Sequence, residues 1–404
     1  MAVATYCFKA IKRIGLFMVI VLVTTLALFL IDQEEEDDFY EVTTKGKTEM
    51  YKRTNYNTKY ILLWTDSRAS PFNYLGRGSY TFREKSCKYT NCFVTGNRQE
   101  LGDISLFDVV LFNGPQLTKI LKMDDLPNSR SPSQKYVYAN IESAQNYPLC
   151  NFNGFFNLTW TYRLDSDINW GYFVVKNKTG HVVAPKMDAT WEKLENMEGV
   201  SKKFKKTLRN KTKAVAWFAT NCHTKSRREY IVEEVRNYLK NYSLSVDIYG
   251  VCGTLQCPSF INERCLRLLE EEYYFYFAFE KSFSKDYVTE KVLTAYKHNT
   301  VPVVYGGADY SRFLPPGSYL NARELGPAKL AETIAYLVKH PEEYYSYFRW
   351  QNHYSFESRH SNPETDDYCK FCAVLNENEY QHYAAHGDLK QWWNGNYSCD
   401  QTKH

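Results

Sequence analysis

Apolar residues along this chain cluster in short continuous runs more than in strict alternation. Runs at 60–64, 109–112, 135–140, 214–219, 246–249 and 275–279 are bounded by turn residues such as Thr65-Asp66-Ser67, Asn113-Gly114-Pro115 and Gly250. Runs of that length predict strands covered on both faces, the mark of parallel sheets. Between them, 228–239 sets Ile231, Val235, Tyr238 and Leu239 at helical spacing, and 263–272 reads as a second helix. Strand, helix and strand in succession form βαβ units. The pattern divides into a first α/β domain over 59–200 and a second over 214–355, joined by a lysine-rich stretch at 201–213 that reads as a solvated hinge. The aromatic tail, 356–404, is expected to fold back on the first domain. No internal repeat is visible, which leaves room for two similar folds of unlike sequence.

The stretch 274–319 adds chemistry to this pattern. It holds an apolar run, a polar loop, a short amphipathic helix opening at Thr289-Glu290-Lys291, a second apolar run and the turn Gly306-Gly307. Such a unit presents a helix N-terminus and a cation to a phosphate. Lys291 is the evident phosphate-facing charge. Arg228 is a second candidate, because it follows the 214–219 strand, on the side where α/β proteins bind ligands.

The N-terminus changes the setting. Residues 14–31 are apolar and uncharged, preceded by Lys9, Lys12 and Arg13 and followed by a run of acids. That length just spans a bilayer, and the charge asymmetry puts residues 1–13 in the cytosol and everything beyond 31 in a lumen. The run exceeds a usual signal-peptide core and lacks a small-residue cleavage site, so it is read as an uncleaved anchor. Residues 32–58, polar and without apolar period, read as a stem. Ten of the 11 Cys lie beyond the anchor, as do sequons at Asn157, Asn177, Asn210, Asn241 and Asn396, both suited to an oxidising lumen. A net charge of +4 over 404 residues points to no polyanion, and the basic run 202–213 is read as a solvated linker and not as a nucleic-acid site.

Several segments carry a family resemblance. Phe275-Tyr-Phe-Ala-Phe-Glu280 with Asp286-Tyr287-Val-Thr-Glu290-Lys291 resembles the donor signature of the α1,3/4-fucosyltransferases. Asn221-Cys222 with Arg228, Asn140-Ile-Glu142-Ser143, and Phe156-Asn157-Leu-Thr through Tyr162-Arg163-Leu-Asp165-Ser-Asp167 resemble three further blocks of that family. The resemblance implies two Rossmann-like domains facing across a cleft (a GT-B fold), with a single anchor and stem in front. It implies an inverting enzyme that moves L-fucose from GDP-β-L-fucose to O3 of an N-acetylglucosamine in a glycoprotein or glycolipid glycan, in the Golgi membrane. Glu142 would be the base. Arg228, Tyr287, Glu290 and Lys291 would hold the donor, with Tyr162 and Arg163 as secondary contacts. The mechanism needs no metal or cofactor, though Mn or Mg could stimulate it. Asp165-x-Asp167 is read as a turn or interdomain element in preference to a metal site.

Two departures from the family text motivate the alternatives. Ala144 stands where proline is usual, and Lys281 where the motif has a neutral amide. The alternatives are a catalytically silent lumenal glycan-binding relative, or the same fold using another sugar nucleotide. Cys87/Cys92, Cys252/Cys257 and Cys369/Cys372 are disulfide candidates, either as local bridges or with the last pair reaching back to Cys87 and Cys92.

Overall fold

The computed structural model describes residues 57–117, 125–256, 263–377 and 384–397. The proposed anchor at 14–31, nearly all of the stem, Cys257 and Cys399 therefore lie outside the described residues. Among those described, no helix is long and apolar enough to cross a membrane.

Two parallel sheets organise the chain. The first comprises β1 (Lys59–Leu63), β2 (Cys92–Thr95), β3 (Val109–Asn113), β4 (Lys135–Asn140), β5 (Leu158–Thr161) and β6 (Ile168–Asn169), in the order β2-β1-β3-β4-β5-β6. The second comprises β9 (Lys213–Phe218), β10 (Val246–Tyr249), β11 (Tyr273–Phe279), β12 (Val301–Tyr305) and β13 (Leu320–Asn321), in the order β10-β9-β11-β12-β13. All pairings in both are parallel. Each order reverses once, between β1 and β3 in the first sheet and between β9 and β11 in the second. The two halves thus share one winding without sharing sequence. Val301, Val303 and Val304 are buried, as are Phe275, Tyr276, Phe277, Ala278 and Phe279 in succession, so apolar runs and not alternation mark these strands.

A small antiparallel sheet, β14-β7-β8, joins β7 (Phe173–Asn177) and β8 (Val182–Ala184) to β14 (Tyr354–Ser358) of the tail. Phe173, Val175, Ala184 and Met197 pack into one core with Ala216, Tyr276 and Val304 of the second sheet. Residues 173–197, expected with the first sheet, therefore bury their apolar side chains against the second. The lysine-rich stretch also departs from expectation. Lys202–Leu208 is a helix whose N-cap, Ser201, accepts the Phe204 N–H. Lys211 is buried, its Nζ donating to Glu270 O at 2.6 Å and Tyr273 O at 2.7 Å. The solvated linker is corrected to a capped helix and a buried lysine tied to carbonyls in the last turn of the helix Glu263–Glu272 and at the start of β11.

The tail returns to the first sheet. Phe371, on the helix Asp367–Asn376, stacks on Trp160 at 4.3 Å, and Cys87–Cys369 and Cys92–Cys372 bridge across. The back-reaching alternative therefore holds for these four cysteines. Cys252 pairs with Cys222, which corrects its expected local bridge to Cys257. Cys150 and Cys265 are likewise disulfide-bonded, so every described cysteine is oxidised.

Candidate active site

The C-terminal ends of β9 and β11, at the point where the second sheet's order reverses, carry a buried charged cluster. β11 ends in Phe279, and Glu280 behind it is buried, its Oε1 accepting Thr289 N–H and Oγ1–H, each at 2.9 Å. Oε2 takes the Lys291 ammonium at 3.0 Å. Thr289 is the N-cap of the helix Glu290–Lys297, so Glu280 fixes both the start of that helix and its cation. Burial alone would lower the Lys291 pKa, but Glu280 and Glu290 outweigh it and the net shift is upward; the group is an ammonium. The Glu290 side chain itself is exposed, 3.9 Å from Lys291.

Arg228 starts the helix Arg228–Lys240 and is buried. Its guanidinium donates to Phe279 O at 2.5 Å and to Asn221 O at 3.4 Å. Nε is buried, with no hydrogen-bond partner among the described residues. Burial lowers the Arg228 pKa, while Glu280 opposes the shift. The cluster is therefore a buried guanidinium and a partly buried ammonium around one buried carboxylate, at the C-terminal ends of parallel strands and a helix N-terminus.

Glu142 comes to this region from the first sheet. β4 ends at Asn140, whose Oδ1 accepts the Glu142 N–H at 2.8 Å and so shapes the turn. The Glu142 carboxylate meets Lys281 Nζ at 2.6 Å and the Tyr287 hydroxyl at 3.5 Å. The loops interlock further on: Gln145 N donates to Ser284 Oγ at 3.0 Å, and Phe283 N to Gln145 Oε1 at 3.0 Å. The Ala144 N–H donates to Tyr162 Oη at 3.2 Å, so the turn is held without a proline. Tyr287 is buried, its ring 4.9 Å from that of Tyr162, and burial raises its phenol pKa. Gly307, after β12, approaches so closely that a Cβ there would stand 2.1 Å from Phe283 O.

Arg163 has a different setting. Its guanidinium forks onto Asp165 with two 2.8 Å bonds and also donates to Trp392 O. Lys285 is a second cation on Asp165, at 2.8 Å. Burial works against the Asp165 charge, but Arg163 and Lys285 outweigh it and hold the carboxyl at about 2. Asp167 accepts from Thr159 N, Thr159 Oγ1 and His386. Both carboxylates of the Asp-x-Asp pair are thus engaged by protein donors. Among the sequons, Asn210, Asn241 and Asn396 are exposed and Asn177 half-buried. Asn157 is buried, its carbonyl accepting from Tyr136 N and Arg130.

Sequence reasoning passed over Glu280 as a functional group, and the tail residues Trp392, Trp393 and Tyr397 altogether. The signal for Glu280 was an acid ending an otherwise apolar strand of known type. For the tail it was the polar-aromatic text Gln391-Trp-Trp-Asn-Gly-Asn-Tyr397.

Comparison with known proteins fits this arrangement. Residues 208–392 match the C-terminal domain profile of glycosyltransferase family 10 (fucosyltransferase), and 56–173 match the fucosyltransferase N-terminal domain. The class is that of the glycosyltransferases. Similar proteins include α-(1,3)-fucosyltransferase C of Drosophila melanogaster, 35% identical over 359 residues, covering 86% of this chain and 80% of the fly protein. Glycoprotein 3-α-L-fucosyltransferase A of the same fly is 30% identical over 351 residues, 84% of this chain and 61% of that one. A crystal structure of an α1,3-fucosyltransferase with GDP-fucose superposes with a TM-score of 0.49 at 17% identity, covering 86% of this chain and 96% of that one. The chain belongs to glycosyltransferase family 10, the fucosyltransferases.

Proposed function

We propose that this chain transfers L-fucose from GDP-β-L-fucose to O3 of an N-acetylglucosamine in a glycoprotein or glycolipid glycan, with inversion to an α-linkage. The observation that carries this reading is the meeting of Glu142, from the first sheet, with the Lys281–Lys291 segment of the second. An acceptor-side carboxylate then faces the buried Arg228 and the partly buried Lys291. Arg228 and Lys291, with the helix N-terminus at Thr289, neutralise the departing diphosphate. Tyr287 lines the donor between them and Glu142, with Glu290 as an outer contact; Tyr162 backs the Tyr287 ring, and Arg163 is held on Asp165 and the Trp392 carbonyl. Glu142 takes the proton from the acceptor hydroxyl as that oxygen attacks fucose C1 from the face opposite GDP. No step requires a metal ion.

The same reading places the enzyme in the Golgi membrane as a single-pass type II protein, anchored by 14–31 with its catalytic part lumenal. The oxidised state of all described cysteines supports an oxidising compartment. The test is GDP-fucose turnover against a small acceptor panel. Glu142→Gln is expected to abolish transfer, by at least about 100-fold, while GDP affinity is kept; full activity in that variant discards the base assignment.

A second reading, a silent glycan-binding relative, rests on the Lys281 ammonium lying against Glu142. Turnover by the wild-type chain removes it.

A further inference from the structure

The C-terminal segment does more than close the fold. Its helix Leu389–Asn394 starts at Asp388, whose side chain caps Gln391 N–H. Trp393 Nε1 donates to Tyr147 O at 2.9 Å, and the Asn394 amide exchanges two 2.8 Å bonds with Leu149. Tyr147 and Leu149 lie just beyond the Glu142 turn. On the other side, Tyr397 Oη donates to Phe283 O at 2.7 Å, in the loop that carries Lys281. The segment therefore straps the base-bearing loop to the donor-side loop.

Beneath the strap is a cavity of about 480 Å3, within the range of roughly 300–1,000 Å3 usual for small-ligand sites. Residues 391–397 form one wall, and Ala144, Tyr162, Arg163, Phe283, Lys285 and Gly307 form the others. Ala144 is two residues from Glu142, so the cavity adjoins the candidate base. Its two cations, Arg163 and Lys285, are already paired with a carboxylate outside the cavity lining, Asp165, and Arg163 also donates to the Trp392 carbonyl. What the walls offer a ligand is aromatic surface (Tyr397 and the face of Trp392 that Arg163 does not cover) and the exposed amide of Gln391. Ring faces with amide donors and acceptors suit a neutral pyranose, whose C–H faces lie on aromatics and whose hydroxyls take hydrogen bonds. The family match ends at residue 392, so Trp393 to Tyr397 lie beyond it.

We propose that this cavity is an acceptor subsite, taking a neutral sugar residue next to the fucosylated one, and that the strap selects the acceptor glycan. The proposal rests on the reading of Glu142 as the base. It assigns acceptor discrimination to the tail and leaves donor binding to the Arg228–Lys291 cluster.

The test measures the affinity of the full chain for a neutral biantennary N-glycan by calorimetry, with GDP saturating, and GDP affinity separately. Asn396 heads a sequon, so the parent carries Ser398→Ala and has no glycan at the cavity mouth. Trp392→Ala is expected to weaken glycan binding about 10-fold and leave GDP affinity unchanged, with Trp392→Phe retaining most of it. Asn396→Trp, which fills the cavity from an exposed position, should weaken it similarly and guards against misfolding of the first variant. Undiminished glycan affinity in both Trp392→Ala and Asn396→Trp overturns the proposal, as does an equal loss of GDP affinity or a parent that binds no glycan. Fucose transfer is followed in parallel: glycan binding without transfer would sink the enzymatic reading and leave the subsite standing.

Discussion

At the scale of single residues, the site is governed by which charges are already paired. Lys291 donates to a buried carboxylate and to Thr289 Oγ1, and its third N–H is what a phosphate would use. Lys291→Ala is expected to weaken GDP binding at least about 10-fold, measured by calorimetry; unchanged affinity would count against its phosphate role. Lys281 is the informative departure from the family text. Its pair with Glu142 has side chains 29% and 34% exposed, and an ion pair that open to water is worth about 0–1 kcal/mol. The Lys281 ammonium and the Tyr287 hydroxyl both meet Oε2, so an acceptor hydroxyl must approach at Oε1 or displace the ammonium. Lys281→Asn should therefore raise kcat, by no more than about fivefold, with the donor KM unchanged. A large loss, or a raised donor KM, would show that Lys281 contacts the sugar nucleotide instead.

At the scale of elements, the buried Lys211 joins the 202–208 helix and β9 to carbonyls in the last turn of the helix Glu263–Glu272 and at the start of β11. Burial lowers its pKa to about 7, with Glu270 opposing. The unfolded chain then binds more protons than the folded one between about 7 and 10.5, so folded stability rises with pH through that window. Against Lys211→Met, the wild type should gain about 2 kcal/mol between about pH 7 and 9, read from urea unfolding at both. A gap that does not move with pH would mean that the ammonium is not desolvated. Lys211 also shows where sequence reading ran out. Central strands and the helices at 228, 263 and 290 were legible because burial on both faces leaves unbroken apolar text. β2, only Cys92–Thr95, and β6, only Ile168–Asn169, are too short to leave such a mark. A lysine-rich run looks solvated, and only the carbonyls 59 and 62 residues away make one of its members internal. Glu142 and Lys291 could be picked out locally, whereas the Lys281–Glu142 contact and the strap depend on chain closures that no local pattern encodes.

For the molecule as a whole, the two bridges from the tail to the first sheet act as one latch. Each closes a loop of about 280 residues, but Cys87 and Cys92 are five apart and Cys369 and Cys372 three apart. With either bridge intact, the other closes only a few further residues. Replacing Cys87 and Cys369 by alanine should therefore cost roughly 2–3 kcal/mol, whereas replacing all four cysteines should cost about 8 kcal/mol. Thermal unfolding of the two variants would show the asymmetry; additive losses would mean that each bridge stabilises its own surroundings. The strap of residues 391–397 lies downstream of this latch, so losing both bridges should also weaken glycan binding more than GDP binding.

The latch also sets an order of events during synthesis. Cys87 and Cys92 leave the ribosome some 280 residues ahead of Cys369 and Cys372. At about 5–20 residues per second, they wait roughly 14–56 s for their partners. During that interval, in a secretory host, they stand five residues apart and can join each other or Cys150. Yield in a secretory host is thereby tied to disulfide isomerase supply, and the native pairing is completed only after almost the whole chain has been made.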